Sequence, residues 1–379
     1  MGERTVVRLG DVCHIVSGTT PNSTKPEYWD GGLPWVTPAE ISNDSHIITD
    51  TQRTLTEAGV LSKKLPLLPK GTVLLSSRAP IGKVAIAGRD MYCNQGFKNL
   101  ICSDAIFNEY LYCFLKSQNK RLQHMGHGAT FKELSKKTLS DMMIPVPSLD
   151  VQHEIVSTLE AASRLTDVAK QMLDKADELI QSRFVEMFGD QSWDEDTLKS
   201  RCMVITGNTP SRKHSEYYGN NLEWIKTDNI TAIGVKEAKE RLSIAGRTVA
   251  KIVPPNSLLM VCIAGSVKSI GRVSIVDREV AFNQQINAIV PCEDVSSIYL
   301  LWALRNSKKK LLREINMQVK GIIKKSSLEQ LRIAFPPLAL QNEFAEFVTQ
   351  VESLKSATRQ QLDRLNTLYD SLAQRYFAE

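Results

Sequence analysis

Apolar positions change their period along the chain. In residues 1–147 they come in short runs, Gly71 to Ser76 and Gly82 to Ala87 among them, cut by Gly, Pro and Asn. That is the pattern of strands and tight turns. After Pro145 and Pro147 no Gly or Pro occurs until Gly189, and apolar residues recur at seven-residue spacing. One row holds Ile155, Ala162, Ala169 and Ala176; the other holds Leu159, Thr166, Leu173, Ile180 and Met187. This spacing predicts one helix of about 40 residues. The order then repeats. Residues 190–336 return to short runs such as Ser257 to Cys262, and beyond Pro336 and Pro337 a second helical stripe begins. It carries Phe344, Val351, Thr358, Leu365 and Leu372 beside Val348, Leu362, Tyr369 and Tyr376, interrupted by Lys355. The predicted parts are therefore two globular domains, 1–147 and 190–336, and two connector helices, 148–189 and 337–379.

A helix of that length spans about 60 Å and cannot bury its stripe on one small domain. The expected partner is the other connector helix, in an antiparallel coiled coil; the alternative is two separate helical linkers. The aromatic ends, Phe184 and Phe188 with Met187, and Tyr369, Tyr376 and Phe377, are expected to pack where the coil closes.

Sliding the chain on itself by 189 residues aligns the halves. Cys13 falls on Cys202, Gly18 on Gly207, Thr20-Pro21 on Thr209-Pro210, Glu27-Tyr28 on Glu216-Tyr217 and Trp35 on Trp224. The register fails around residues 42–75 and returns at Ile81-Gly82-Lys83-Val84 against Ile270-Gly271-Arg272-Val273, Asn94-Gln95 against Asn283-Gln284, and Tyr110-Leu111 against Tyr299-Leu300. Lys136, Pro147, Leu149, Gln152 and Glu154 meet Lys325, Pro336, Leu338, Gln341 and Glu343. The chain reads as a tandem duplication with a pseudo-two-fold relation between its halves, in the α+β class, with two compact α/β domains joined by two long helices.

Length and composition narrow the class. With 379 residues and 42% apolar content, the chain can form two or three packed domains. No apolar run approaches the ~20 residues of a membrane span. No basic-apolar leader precedes Val6, and seven scattered cysteines lack a CxxC pair, so a soluble, reduced, cytoplasmic protein without a zinc site or disulfide framework is expected. The net charge of +5 is unevenly spread. Residues 1–149 carry 17 Lys+Arg against 13 Asp+Glu and residues 190–339 carry 22 against 15, whereas residues 150–189 carry 4 against 8 and residues 340–379 carry 4 against 6. Basic domains and acidic helices point to a polyanion on the former, unless this is ordinary surface variation.

Catalytic patterns are missing. There is no GxxxxGK[ST] loop, no motif pair expected of an adenine methyltransferase, and His124 and His127 read as a polar loop rather than metal ligands. The repeated carboxylates Glu27/Glu216 and Glu154/Glu343 look structural, the second pair meeting a helix N-terminus. No catalytic residue, metal or bound cofactor is expected in this chain. Basic and amide side chains are abundant instead. The first half offers Thr20, Lys25, Arg78, Lys83, Asn94, Gln95, Lys98, Lys132, Lys136 and Lys137. The second offers Thr209, Arg212, Lys213, Lys226, Lys268, Arg272, Asn283, Gln284, Gln285, Lys320, Lys324 and Lys325, with Lys308 to Lys310 nearby. Lys and Arg neutralise phosphates, while Arg, Asn and Gln can pair with base edges. Any one lysine could equally be solvated surface, and the Asn-Gln pairs could brace strand-end turns. Two similar but non-identical DNA readers would recognise a split, asymmetric sequence, with the coiled coil as a ruler for the unread base pairs between.

These motifs, in this order and twice over, resemble the specificity (S) subunits of type I restriction-modification enzymes along the entire chain. The likeness rests on Ser17-Gly-Thr-Thr-Pro21 and Thr206-Gly-Asn-Thr-Pro210, the Glu-Tyr-aromatic elements, the Ile-Gly-Lys/Arg-Val turns, the Asn-Gln pairs and the Pro-x-Leu-x-x-Gln-x-Glu opening of each long helix. The resemblance implies two target recognition domains and connector helices that dock two methyltransferase (M) subunits carrying S-adenosylmethionine. It also implies restriction (R) subunits driven by ATP. Rival readings are a self-sufficient nuclease or methyltransferase, which would need a catalytic motif, and a scaffold for an acidic protein, which would not bind DNA selectively.

Overall fold

A computed structural model describes residues 5–42, 45–78, 80–126, 132–189, 193–231, 234–266, 269–312 and 321–378. It divides into two compact units: Met1–Gln171 with Arg359–Glu379, and Met172–Thr358.

In the first unit, the buried runs that the sequence marks as strands build a five-stranded sheet in the order Cys13–Ser17, Lys98–Cys102, Val73–Leu75, Val84–Ala87 and Ile47–Ile48. A three-stranded sheet holds Arg53–Leu55, Trp29–Val36 and Tyr92–Cys93. The helix Asn108–Ser117 buries Tyr110, Leu111, Phe114 and Leu115 in the core beneath the larger sheet. The second unit repeats this plan. Its four-stranded sheet runs Cys202–Thr206, Ile286–Pro291, Leu258–Val261 and Val273–Ile275, and the helix Ser297–Asn306 buries Tyr299, Leu300 and Leu304. Cys13 opposite Cys102 and Ile15 opposite Leu100 become Cys202 opposite Pro291 and Val204 opposite Ile289, the 189-residue offset written into strand register.

From Arg53 onward the break in the repeat around residues 42–75 is a drift of register, whereas the strand Ile47–Ile48 has no counterpart among the described strands of the second unit's equivalent sheet. Leu55 faces Trp29 and Leu33 as Leu242 faces Tyr218 and Leu222, an offset of 187. Val73 lies between Leu100 and Ile86 as Leu258 lies between Ile289 and Ile275, an offset of 185. The count is restored in the next turn. The Ser76 N–H donates to the Lys83 carbonyl and the Gly82 N–H to that of Ser76; Val261, Arg272 and Gly271 repeat both bonds across a turn four residues longer. Gly82 and Gly271 close these turns at φ of +96° and +69°, a backbone region where a Cβ is strained, and this explains the Ile-Gly-Lys/Arg motif.

Each connector is one helix of 40 residues, Leu149–Phe188 and Leu338–Phe377. In the first unit Ile155, Val156 and Leu159 share a core with Ala373 and Phe377. In the second, Ala176, Ile180 and Phe188 share one with Phe344, Val348 and Val351. The start of one helix thus lies against the end of the other in both units, the antiparallel pairing of a coiled coil. Ile155, Ala162, Ala169 and Ala176 are all buried, as the seven-residue row requires. The terminal aromatics anchor the coil to the globular parts: Phe377 lies edge-on to Tyr110 and Phe114, and Phe188 to Tyr299 and Phe344.

The opening motif of each helix is a clamp. Buried Gln152 accepts from the Phe107 N–H at 2.8 Å and donates to the carbonyls of Ala105 (3.0 Å) and Pro147 (2.9 Å). Gln341 repeats this with the Ser296 N–H at 2.9 Å and the carbonyls of Asp294 (3.4 Å) and Pro336 (2.8 Å). The Tyr110 hydroxyl donates to the Pro145 carbonyl at 2.7 Å and that of Tyr299 to Ala334 at 2.9 Å. Buried amides and hydroxyls that satisfy backbone groups fix the angle at which helix leaves domain.

Candidate nucleic-acid interface

The Thr-Pro and Asn-Gln motifs, 75 residues apart in each half, meet in space. The Thr20 hydroxyl donates to the Gln95 side-chain carbonyl, and Thr209 donates to Gln284 in the same way. The approach is close because Gly18 and Gly207 lack a side chain: a Cβ would lie 1.9 Å from the Asn94 carbonyl oxygen and 2.2 Å from that of Asn283. Of the two readings of the Asn-Gln pair, the asparagine takes the brace. The Gly96 N–H donates to Asn94 Oδ1 at 2.9 Å and the Gln285 N–H to Asn283 Oδ1 at 3.1 Å. Gln95 and Gln284 remain exposed, Gln285 is half-buried and Asn283 is buried. The indole N–H of Trp35 and of Trp224 holds the facing loop through the carbonyls of Thr19 (3.3 Å) and Asn208 (3.2 Å).

The cations separate into held and projecting groups. Lys83 Nζ donates to the Pro38 carbonyl at 2.9 Å, and Arg272 Nη2 to the equivalent Thr227 carbonyl at 3.1 Å. Arg272 Nε is buried without a hydrogen-bond partner among the described residues. Lys98 is buried, its ammonium 3.2 Å from Glu133, which Arg78 meets at 2.9 Å. Burial pushes the Glu133 carboxyl up, but hydrogen bonds from Arg78 and Lys98 outweigh that and hold it below the ordinary range. Arg212 and Lys226 share Glu240, and Arg212 lies over the rings of Tyr218 and Trp224. Lys25 lies 3.7 Å from Glu27 and over Tyr28. Lys132, Lys136, Lys137, Lys213, Lys324 and Lys325 are exposed, Lys325 with Glu329 at 3.5 Å. Lys268 and Lys320 fall outside the described residues.

Several members of this surface escape sequence reasoning. Arg53 stacks on Trp29 with 3.5 Å between guanidinium and ring centroid, in the place that Arg212 takes beside Tyr218, although the two arginines are not equivalent in sequence. Glu133 and Glu240 organise cations yet have no repeated partner to mark them. His124 is not in a loop: it lies in the helix Asn119–Met125 with Nδ1 2.6 Å from the Lys120 carbonyl oxygen, while His127 is outside the described residues. Among the described residues no cluster of metal-ligating side chains occurs, and no helix is long and apolar enough to cross a membrane.

The family model described as "Type I restriction modification DNA specificity domain" matches twice, at residues 1–177 and 191–367. The chain belongs to this family. Among relatives, it is similar to the type I restriction enzyme MjaIX specificity subunit of Methanocaldococcus jannaschii, 36% identical over 202 residues that make up 52% of this chain and 46% of the relative. It is also similar to the EcoR124I/EcoR124II specificity subunit of Escherichia coli, 26% identical over 183 residues, 46% of this chain and 45% of the relative. The chain thus spans about half the length of these two curated relatives. The fold is also that of a chain from a structure titled as the basis of assembly and conformational transition of the type I R-M system, with a TM-score of 0.68 at 18% identity over 99% of this chain and 98% of that one. A type I restriction-modification S subunit from M. genitalium shares it with a TM-score of 0.57 at 12% identity, covering 100% and 96%. For a specificity-domain chain, the doubled scaffold with different side chains at equivalent loops is the informative feature.

Proposed function

We propose that the chain is the DNA sequence-specificity subunit of a type I restriction-modification system. Residues 1–147 and 190–336 act as target recognition domains, each reading one half of a bipartite, asymmetric site. The connector helices dock two methyltransferase subunits, and restriction subunits join that assembly. The chain itself is non-catalytic and holds neither cofactor nor metal: S-adenosylmethionine and ATP belong to the partners, which methylate a flipped adenine and drive translocation and cleavage. A reduced, cytoplasmic setting rests on seven cysteines scattered without a CxxC pair.

One observation carries this reading: the same backbone brackets different chemistry in the two halves. Lys83 stands where Arg272 stands, and Arg212 and Lys226 gather on Glu240 in the second unit only. Two unlike readers on one frame suit two unlike half-sites. The DNA-facing set is drawn from the projecting groups, Thr20, Lys25, Arg78, Gln95, Lys132, Lys136 and Lys137, and Thr209, Arg212, Lys213, Gln284, Lys324 and Lys325. Lys83, Asn94, Lys98, Lys226, Arg272, Asn283 and Gln285 support them. Lys268 and Lys320 stay in the proposed set on sequence alone.

The test is methylome sequencing of a host expressing the chain with its cognate methyltransferase subunit, against that subunit alone. A new split adenine-methylated motif that needs the chain is the expected result. Two soluble, associated proteins that produce no such motif would defeat the proposal in favour of a scaffold.

A further inference from the structure

The two units differ in chemistry at one structurally equivalent place, beside the turn that is four residues longer in the second. In the first unit a backbone bridge joins Arg78 to Glu133, and the Leu134 N–H donates to the Ser77 carbonyl at 2.9 Å. In the second, Ile263 pairs with Ile322, and the Ile323 N–H donates to the Cys262 carbonyl at 2.8 Å. Lys98, opposite Ser17, is replaced by Asn287, opposite Thr206. An Arg-Glu-Lys trio in one unit thus occupies the position of an Ile-Ile-Asn trio in the other. Ile322 is 52% exposed.

Described residues near Arg78 are held by hydrogen bonds. Ser77 N–H donates to the Gly96 carbonyl at 2.7 Å, and the Ser76 hydroxyl donates to the Pro80 carbonyl at 2.7 Å while accepting from the Lys83 N–H at 2.9 Å. Gly96 follows Gln95, the residue that Thr20 holds, so the backbone next to Arg78 is bonded directly beside the repeated motif. The arginine side chain is 47% exposed and contacts Glu133 through Nη2. Glu133 is also bound by the buried Lys98, so the trio keeps one net positive charge, carried at its exposed end by a guanidinium with five N–H donors in a fixed fork. A carboxylate anchored from behind and aiming an arginine outward is the arrangement that lowers the entropy cost of a directional contact. A solvated phosphate contact does not need it.

We infer that Arg78 is a base-reading residue of the first unit, bidentate to a guanine edge in the major groove, with Glu133 and Lys98 as positioning residues, and that Ile322 takes the equivalent place in the second unit by apolar contact. The inference rests on the DNA-specificity reading above and adds which side chain reads a base and which base it reads.

The experiment uses the full chain with its cognate methyltransferase subunit and a random-sequence duplex library, scored by methylation sequencing. Arg78→Lys keeps the charge and removes the fork. It is expected to relax one guanine position of one half-site by about tenfold or more and leave the other half-site unchanged. Glu133→Asp, which keeps the negative charge but draws the carboxylate back by one methylene from both Arg78 and Lys98, relaxes the same position, and Ile322→Ala relaxes a position of the other half-site only. Lys136→Ala serves as the phosphate-type comparison, with a fall shared by all sequences and a shallower salt dependence. A wild-type motif that Arg78→Lys leaves unchanged, or lowers uniformly as Lys136→Ala does, overturns the inference alone. A wild-type chain that selects no motif overturns the DNA-specificity reading and the inference with it.

Discussion

Single residues decide which cations are available. Lysine and arginine look alike in sequence whether they project or brace, because the difference lies in what a folded neighbour offers: Lys83 meets the Pro38 carbonyl and Lys98 meets Glu133 only after strands remote in sequence come together. The repeated glutamines are the opposite case, since Gln152 and Gln341 recur at one offset and carry the same three bonds. Gln152→Ala strands the Phe107 N–H and two carbonyls in a buried place and is expected to destabilise the chain by about 1–3 kcal/mol in urea denaturation. A loss below about 0.5 kcal/mol would mean that water replaces the amide and the clamp is dispensable.

At the scale of elements, helices were the most legible feature. Absence of Gly and Pro together with a seven-residue stripe bounded both connectors, because a local periodicity needs no distant partner to be read. Lys355 breaks that stripe and is nonetheless buried, its ammonium 2.6 Å from Asp177 and 2.5 Å from Glu352. Both carboxylates keep substantial exposure, 63% and 42%, so removing the lysine leaves them hydrated rather than stranded. Lys355→Met is therefore expected to hold or raise the melting temperature, the buried charge costing as much desolvation as its ion pairs return. A fall of more than about 5 °C would show the pair to be a net stabiliser. Strands were less legible, and the drift between residues 42 and 75 was invisible, since register is set by cross-strand pairing and a two-residue slip preserves the alternation of faces.

For the whole molecule, the duplication is the organising fact. If each unit reads its own half-site, grafting residues 9–147 in place of 198–336 yields a chain whose split motif contains the first half-site twice. Methylome sequencing checks this, and a motif that keeps the second half-site would place recognition outside the grafted residues. The sequence by itself determined the repeat, the two long helices, the basic domains alternating with acidic connectors and the family, because each of these is a matter of spacing or composition along one dimension. The tertiary structure alone decided that Asn94 braces while Gln95 projects, that register drifts by four residues and recovers in one turn, and that Arg78, Glu133 and Lys98 form a unit. Those depend on residues far apart in the chain being brought within hydrogen-bond reach, and local pattern carries no record of which distant partner the folded sheets will supply.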